Sequence, residues 1–99
     1  MHPTEVEQAL LSIPGVRRAF AAAIELDGAA AVGAAVLPEP GQVLALDALA
    51  EAARSRLSAF KLPVRWLVLE GLEGLPTLAS GKLDRRALGG LISAGRPAT

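Results

Sequence analysis

Residues 16–37 have the sequence VRRAFAAAIELDGAAAVGAAVL, and this stretch decides the fold. Two runs of small and branched apolar residues flank Asp27-Gly28, a dipeptide that favours a tight two-residue turn. The pattern predicts a strand over residues 16–26 and a second strand over residues 31–37. Because the connecting turn is so short, we expect the two strands to pair antiparallel.

Helical periodicity lies on both sides of this hairpin. Apolar residues at helical spacing predict a first helix that ends at Pro14-Gly15 and a second helix near residues 46–58. A third strand is predicted over residues 64–69, with Trp66 in the core rather than serving as a stacking platform. A last helix is predicted to begin after Asp84, a residue type that favours the N-cap position.

These elements predict an α+β domain in the order α-β-β-α-β-loop-α, with a small three-stranded, mainly antiparallel sheet packed with helices. Residues 1–94 are expected to form the domain, and residues 95–99 a disordered tail.

Composition excludes several classes of function. Ten acidic and ten basic side chains cancel, so nothing indicates binding to nucleic acid or to an anionic membrane. The chain has no cysteine and a single histidine, which argues against disulfides, thiolate metal sites and histidine clusters. Neither a membrane span nor a signal peptide is evident, and a cytoplasmic location is expected.

Lys82 stands out because it is one of only two lysines among 99 residues, the other being Lys61. It follows Gly81 on a loop of small residues, which invites comparison with a phosphate-binding P-loop. That motif fails twice, since Pro76 replaces its first glycine and Leu83 replaces its hydroxyl residue. From composition alone, an exposed and solvated lysine is the default interpretation of both residues.

Three segments in order resemble the C-terminal subdomain of the AMP-forming adenylating enzymes. They are HPTEVE at residues 2–7, FKLP at residues 60–63 and LPTLASGKLDRRAL at residues 75–88. The superfamily contains acyl- and aryl-CoA synthetases, nonribosomal peptide synthetase adenylation domains and luciferases. The resemblance implies that this chain is a lid that closes over a larger N-terminal domain.

By this resemblance, Lys82 takes the place of the family's catalytic lysine. An ammonium between a substrate carboxylate and the α-phosphate of ATP would offset the negative charge of the transition state. Thr77, Ser80 and Gly81 are expected to support the loop. Gly81 would allow close backbone approach to the nucleotide, and Ser80 would bond locally.

The resemblance also implies a second half-reaction, in which the subdomain rotates and the acyl group passes to a thiol. Lysine in FKLP is similar to the acyl-CoA synthetase form of that motif, so coenzyme A is the expected acceptor and Lys61 a candidate acceptor-side contact. Transfer to a carrier protein and a non-catalytic α+β interaction module remain alternatives. Many CoA synthetases have a longer segment between the first two strands, whereas Asp27-Gly28 closes this hairpin directly.

The expected partners are the N-terminal adenylation domain and a carboxylic acid substrate. ATP, Mg²⁺ and coenzyme A are the cofactors that the resemblance implies for the full enzyme, mostly bound by the N-terminal domain. The isolated chain is therefore expected to bind none of them and not to complete the reaction.

Overall fold

A computed structural model describes residues 3–73 and 75–97. The elements, in chain order, are α1 (Pro3–Leu11), β1 (Val16–Leu26), β2 (Ala29–Pro38), α2 (Leu46–Arg54), a short 3₁₀ helix (Ala59–Lys61), β3 (Pro63–Val68), α3 (Arg85–Ser93) and β4 (Arg96–Pro97). This architecture confirms the predicted α+β class. The predicted roles of His2 and of residues 98–99 lie outside the described residues.

β1 and β2 form an antiparallel hairpin, as predicted, with β1 at the edge of the sheet. The strands pair antiparallel from Leu26 opposite Ala29 back to Val16 opposite Pro38. Asp27 and Gly28 form the turn with φ angles of 52° and 81°. Positive φ at both positions is what a two-residue turn matched to the twist of the strands requires. The second strand therefore begins at Ala29, two residues earlier than predicted.

The rest of the sheet is built beyond β2, in the order β1-β2-β3-β4. β3 pairs parallel to β2, and the chain between them, which contains α2, supplies the crossover that parallel pairing needs. β4 pairs antiparallel with β3 through Arg96 and Pro97. The sequence assigns these two residues to a disordered tail, whereas the structure adds them to the three predicted strands as a short fourth one.

The sheet is covered on both faces. α1 and α2 pack on one face, where the core includes Leu10, Leu49 and Trp66. α3 packs on the other face, where Leu88 and Ile92 are fully buried. Trp66 is 2% exposed, which confirms the prediction that it lies in the core. Because both faces are buried, β2 is apolar along most of its length instead of alternating.

α2 ends at Arg54, four residues before the predicted end at Ser58. The chain continues in turns, with the N–H groups of Arg56 and Leu57 both donating to the carbonyl of Ala53. Leu57 still packs against the first core although it lies outside the helix. The apolar periodicity therefore reports burial correctly and overestimates the length of the helix.

Candidate functional site

Lys82 lies on a small hairpin that the sequence had predicted only as a loop. The N–H of Gly81 donates to the carbonyl of Leu78 at 2.9 Å, and the N–H of Leu78 donates to the carbonyl of Lys82 at 2.7 Å. This is the bonding of a three-residue hairpin loop, a turn followed by a left-handed residue. Gly81 holds the left-handed position with φ of 87°.

The base of this hairpin is fixed to the rest of the domain. Thr77 and Leu83 form a bridge, and the N–H of Asp84 donates to the carbonyl of Pro76 at 2.9 Å. Leu75 and Leu83 pack against the core under α3. The tip therefore projects into solvent from a base that is anchored on the sheet.

Asp84 joins the hairpin to α3 as the predicted N-cap. Its backbone is extended, and its carboxylate accepts a hydrogen bond from the N–H of Ala87 at 3.1 Å. A carboxylate at this position satisfies one of the free donors of the first turn and favours the positive end of the helix dipole. Lys82 is thus two residues from a rigid helix start.

The Lys82 side chain is exposed and has no ion-pair partner within the described residues. Its ammonium is therefore available to an anion that approaches the hairpin tip. Thr77 and Ser80 are exposed as well, and neither hydroxyl bonds to another described residue. The backbone rather than Ser80 sets the shape of the loop.

Within the domain, Gly81 provides the left-handed backbone on which the loop depends. A Cβ atom at this position would meet no described atom within 4 Å, so none of the described neighbours requires a small residue there. The requirement within the domain is the left-handed backbone, which glycine adopts without steric cost. Close approach of the loop to a nucleotide stays a prediction.

Lys61 lies on the 3₁₀ helix, and its Nζ is 2.5 Å from Oε1 of Glu5 in α1. On the same helix, Glu7 binds Arg85, the first residue after the Asp84 cap. Glu5 and Glu7 are two positions apart, which is about 200° of rotation around α1. Lys61 and the Lys82 hairpin are therefore associated with different sides of α1, and the structure does not bring the two lysines together in one site.

The site contains one arrangement that the sequence analysis missed, the contact of Glu7 with Arg85 and with the backbone of Ala21. In the sequence, the only indication of this contact is that Glu7 and Arg85 have opposite charges. Two residues 78 positions apart cannot be paired on that basis from a single sequence.

Within residues 3–73 and 75–97, no group of three or more side chains that could hold a metal ion occurs. None of the helices in the same part of the chain combines the length and the apolar character of a membrane span.

The sequence matches the family model for the AMP-binding enzyme C-terminal domain over residues 5–82. It is 39% identical over 89 residues to an isonitrile lipopeptide synthase from Streptomyces coeruleorubidus, covering 89% of this chain and 6% of that protein. The chain thus belongs to the AMP-binding enzyme C-terminal domain family.

Solved structures share the fold. The o-succinylbenzoate CoA synthetase of Bacillus subtilis, bound to the acyl-adenylate intermediate, superposes with a TM-score of 0.73 at 30% identity, over 89% of this chain and 17% of that one. MatB from Rhodopseudomonas palustris superposes with a TM-score of 0.79 at 20% identity, over 95% of this chain and 18% of that one. The chain spans less than a fifth of the length of these relatives.

Proposed function

We propose that this chain is the C-terminal lid of an AMP-forming carboxylate ligase and that it supplies Lys82 to adenylate formation. The observation that carries the proposal is the Lys82 hairpin itself, where an exposed ammonium with no ion-pair partner among the described residues lies beside the tip of a loop whose base is anchored. Family membership and the likeness to a CoA synthetase bound to an acyl-adenylate support it.

The chemistry needs a mobile positive charge at one step. A substrate carboxylate attacks the α-phosphate of ATP, an acyl-phosphate bond forms, and pyrophosphate leaves with the electron pair of the broken bond. Two anions approach each other and negative charge develops on the phosphate oxygens. An ammonium that contacts both groups offsets this charge and aligns them.

This chain contributes only part of the site. ATP and the carboxylic acid would be held mainly by the N-terminal domain, and Mg²⁺ would be bound there. Lys82 would not need a metal-binding side chain next to it, because its ammonium would itself contact the oxygens of the carboxylate and the phosphate.

For the second half-reaction we propose coenzyme A as the acceptor. The support is the FKLP form at residues 60–63 and the 30% identity to a CoA synthetase. Lys61 would contact the acceptor from a side of α1 other than the one that contacts Arg85, after a rotation of the domain. To do so, its ammonium must exchange Glu5 for an anionic group of the acceptor.

A second candidate is transfer to a carrier protein. The 39% identity to a lipopeptide synthase favours it, since peptide assembly is the activity that the name of that relative describes. Full-length enzyme given equal concentrations of coenzyme A and of a phosphopantetheinylated carrier protein will separate the two. Thioester formed only on the carrier contradicts coenzyme A as the acceptor.

Pyrophosphate exchange tests the proposed role of Lys82. In the full-length enzyme, Lys82→Ala is expected to slow ATP–pyrophosphate exchange by about 10²- to 10³-fold, the usual effect of removing one preorganised donor. Exchange at the wild-type rate would remove Lys82 from the mechanism. It would favour a non-catalytic interaction module with the shape of the family.

A further inference from the structure

The outer side of β1 has hydrogen bonds that the proposed function does not use. β1 is an outer strand of the described sheet, so the backbone groups on its far side have no strand partner in residues 3–73 and 75–97. At Ala21 both of these groups are nevertheless bonded. Its N–H donates to Oε2 of Glu7 at 2.8 Å, and its carbonyl accepts from Nη1 of Arg85 at 2.7 Å.

The two side chains also bind each other, with Nη1 of Arg85 2.7 Å from Oε2 of Glu7. Glu7 in α1, Ala21 in β1 and Arg85 in α3 therefore form a closed ring of three hydrogen bonds, which we call the edge ring. The Glu7 side chain is 15% exposed and that of Arg85 is 43% exposed. Hydrogen bonds in which one or both partners are charged are shorter and stronger than bonds between neutral groups.

The edge ring holds the base of the Lys82 hairpin. Arg85 is the first residue of α3 and lies three positions after Lys82. Between them, Leu83 bridges Thr77, and the N–H of Asp84 bonds to the carbonyl of Pro76. These bonds restrain the backbone between Lys82 and Arg85. A shift of Arg85 relative to the sheet would therefore also move the hairpin.

We propose that Glu7 and Arg85 are positioning residues for Lys82, acting through the edge ring to fix where the hairpin tip lies relative to the sheet. This rests on the proposed function of Lys82. The physical reason is that misplacement of a reacting group by about 1 Å can cost on the order of 10²-fold in rate. Protection of the β1 edge against pairing with another chain is the purely structural alternative.

The test uses ATP–pyrophosphate exchange by the full-length enzyme. Glu7→Gln preserves shape and removes the charge, and Arg85→Ala removes the donor from both bonds. Each is expected to lower kcat by about 10- to 100-fold with little change in the KM for ATP. Arg86→Ala is the matched control, because Arg86 is the neighbouring exposed arginine and has no hydrogen bond or ion pair within the described residues. Wild-type kcat in Glu7→Gln and Arg85→Ala would overturn the proposal.

The double variant Glu7→Gln/Lys82→Ala distinguishes positioning from general damage. If Glu7 acts through Lys82, the double variant will be no slower than Lys82→Ala alone, since effects of residues that act as a unit do not add. Multiplicative losses would overturn the positioning role and favour the structural alternative. Full activity of Lys82→Ala would instead refute the proposed function, whatever Glu7→Gln does.

Hydrogen exchange at Ala21 provides a readout that does not depend on activity. The Ala21 amide is expected to exchange faster in Glu7→Ala, which removes the acceptor oxygen, while amides paired between β1 and β2 keep their protection. Unchanged exchange at Ala21 would show that Glu7 does not hold this edge, and would overturn the ring on which the proposal is built.

Discussion

Gly89 and Gly90 are neighbours at the centre of α3, but only Gly89 packs closely against the sheet. A Cβ atom on Gly89 would lie 2.9 Å from the carbonyl oxygen of Ala23, whereas one on Gly90 would meet no described atom within 4 Å. The atom that Gly89 approaches belongs to the backbone of β1, so it cannot move aside as a flexible side chain can. The two glycines therefore form a matched pair for testing how closely α3 packs.

The two alanine variants should differ in their free energy of unfolding. In a helix interior, glycine to alanine gains about 1 kcal/mol of stability from helix propensity alone. Gly90→Ala is expected to show this gain. Gly89→Ala has the same gain but also forces the helix away from β1, an overpacking cost of roughly 1–3 kcal/mol. Because the propensity contribution cancels between them, the variants should differ by about 1–3 kcal/mol, with Gly89→Ala the less stable.

Thermal and urea unfolding of the 99-residue chain measure this difference. In a domain of this size, 1 kcal/mol corresponds to about 4–8 °C in Tm, so Gly90→Ala should melt at least about 4 °C above Gly89→Ala. Equal Tm values, or a more stable Gly89→Ala, would refute the close packing of α3 on β1.

Three further outcomes are expected. Gly81→Ala should destabilise the hairpin by about 1–2 kcal/mol, the cost of an alanine in the left-handed conformation. It should also slow pyrophosphate exchange by the full-length enzyme, because Lys82 is displaced, and an unchanged exchange rate would contradict this. Asp84→Ala should cost about 0.5–2 kcal/mol in urea unfolding through loss of the N-cap, while Asp47→Ala, which removes an exposed carboxylate without such a bond, should cost less. Lys61→Ala should raise the KM for coenzyme A in thioester formation and leave pyrophosphate exchange unchanged, and an unaltered KM would remove Lys61 from the acceptor side.

Local signals predicted the elements that depend on local physics. The sequence predicted the bounds of β1 because Asp27-Gly28 marks its end. The N-cap at Asp84 was predicted from the residue type and its position before an apolar helical pattern. The burial of Trp66 followed from the apolar run around it.

Features that depend on contacts between residues far apart in the sequence could not be predicted from it. The direction of β3 and the existence of β4 are set by pairing between strands, which the apolar pattern does not encode. The hairpin around Lys82 was missed because its residues lack the alternation of a strand, and its shape comes from backbone hydrogen bonds. The contact of Glu7 with Arg85 needs the whole fold to bring α1 and α3 to the same edge.

The most direct test of the role of Lys82 separates the two half-reactions in the full-length enzyme. Wild type and Lys82→Ala are compared first in adenylate formation from ATP and the carboxylic acid, and then in thioester formation from the preformed acyl-adenylate. We predict that Lys82→Ala slows the first step by about 10²- to 10³-fold and leaves the second near the wild-type rate. Equal rates of adenylate formation in the two enzymes, or equal losses in both steps, would contradict a role for Lys82 in adenylate formation alone.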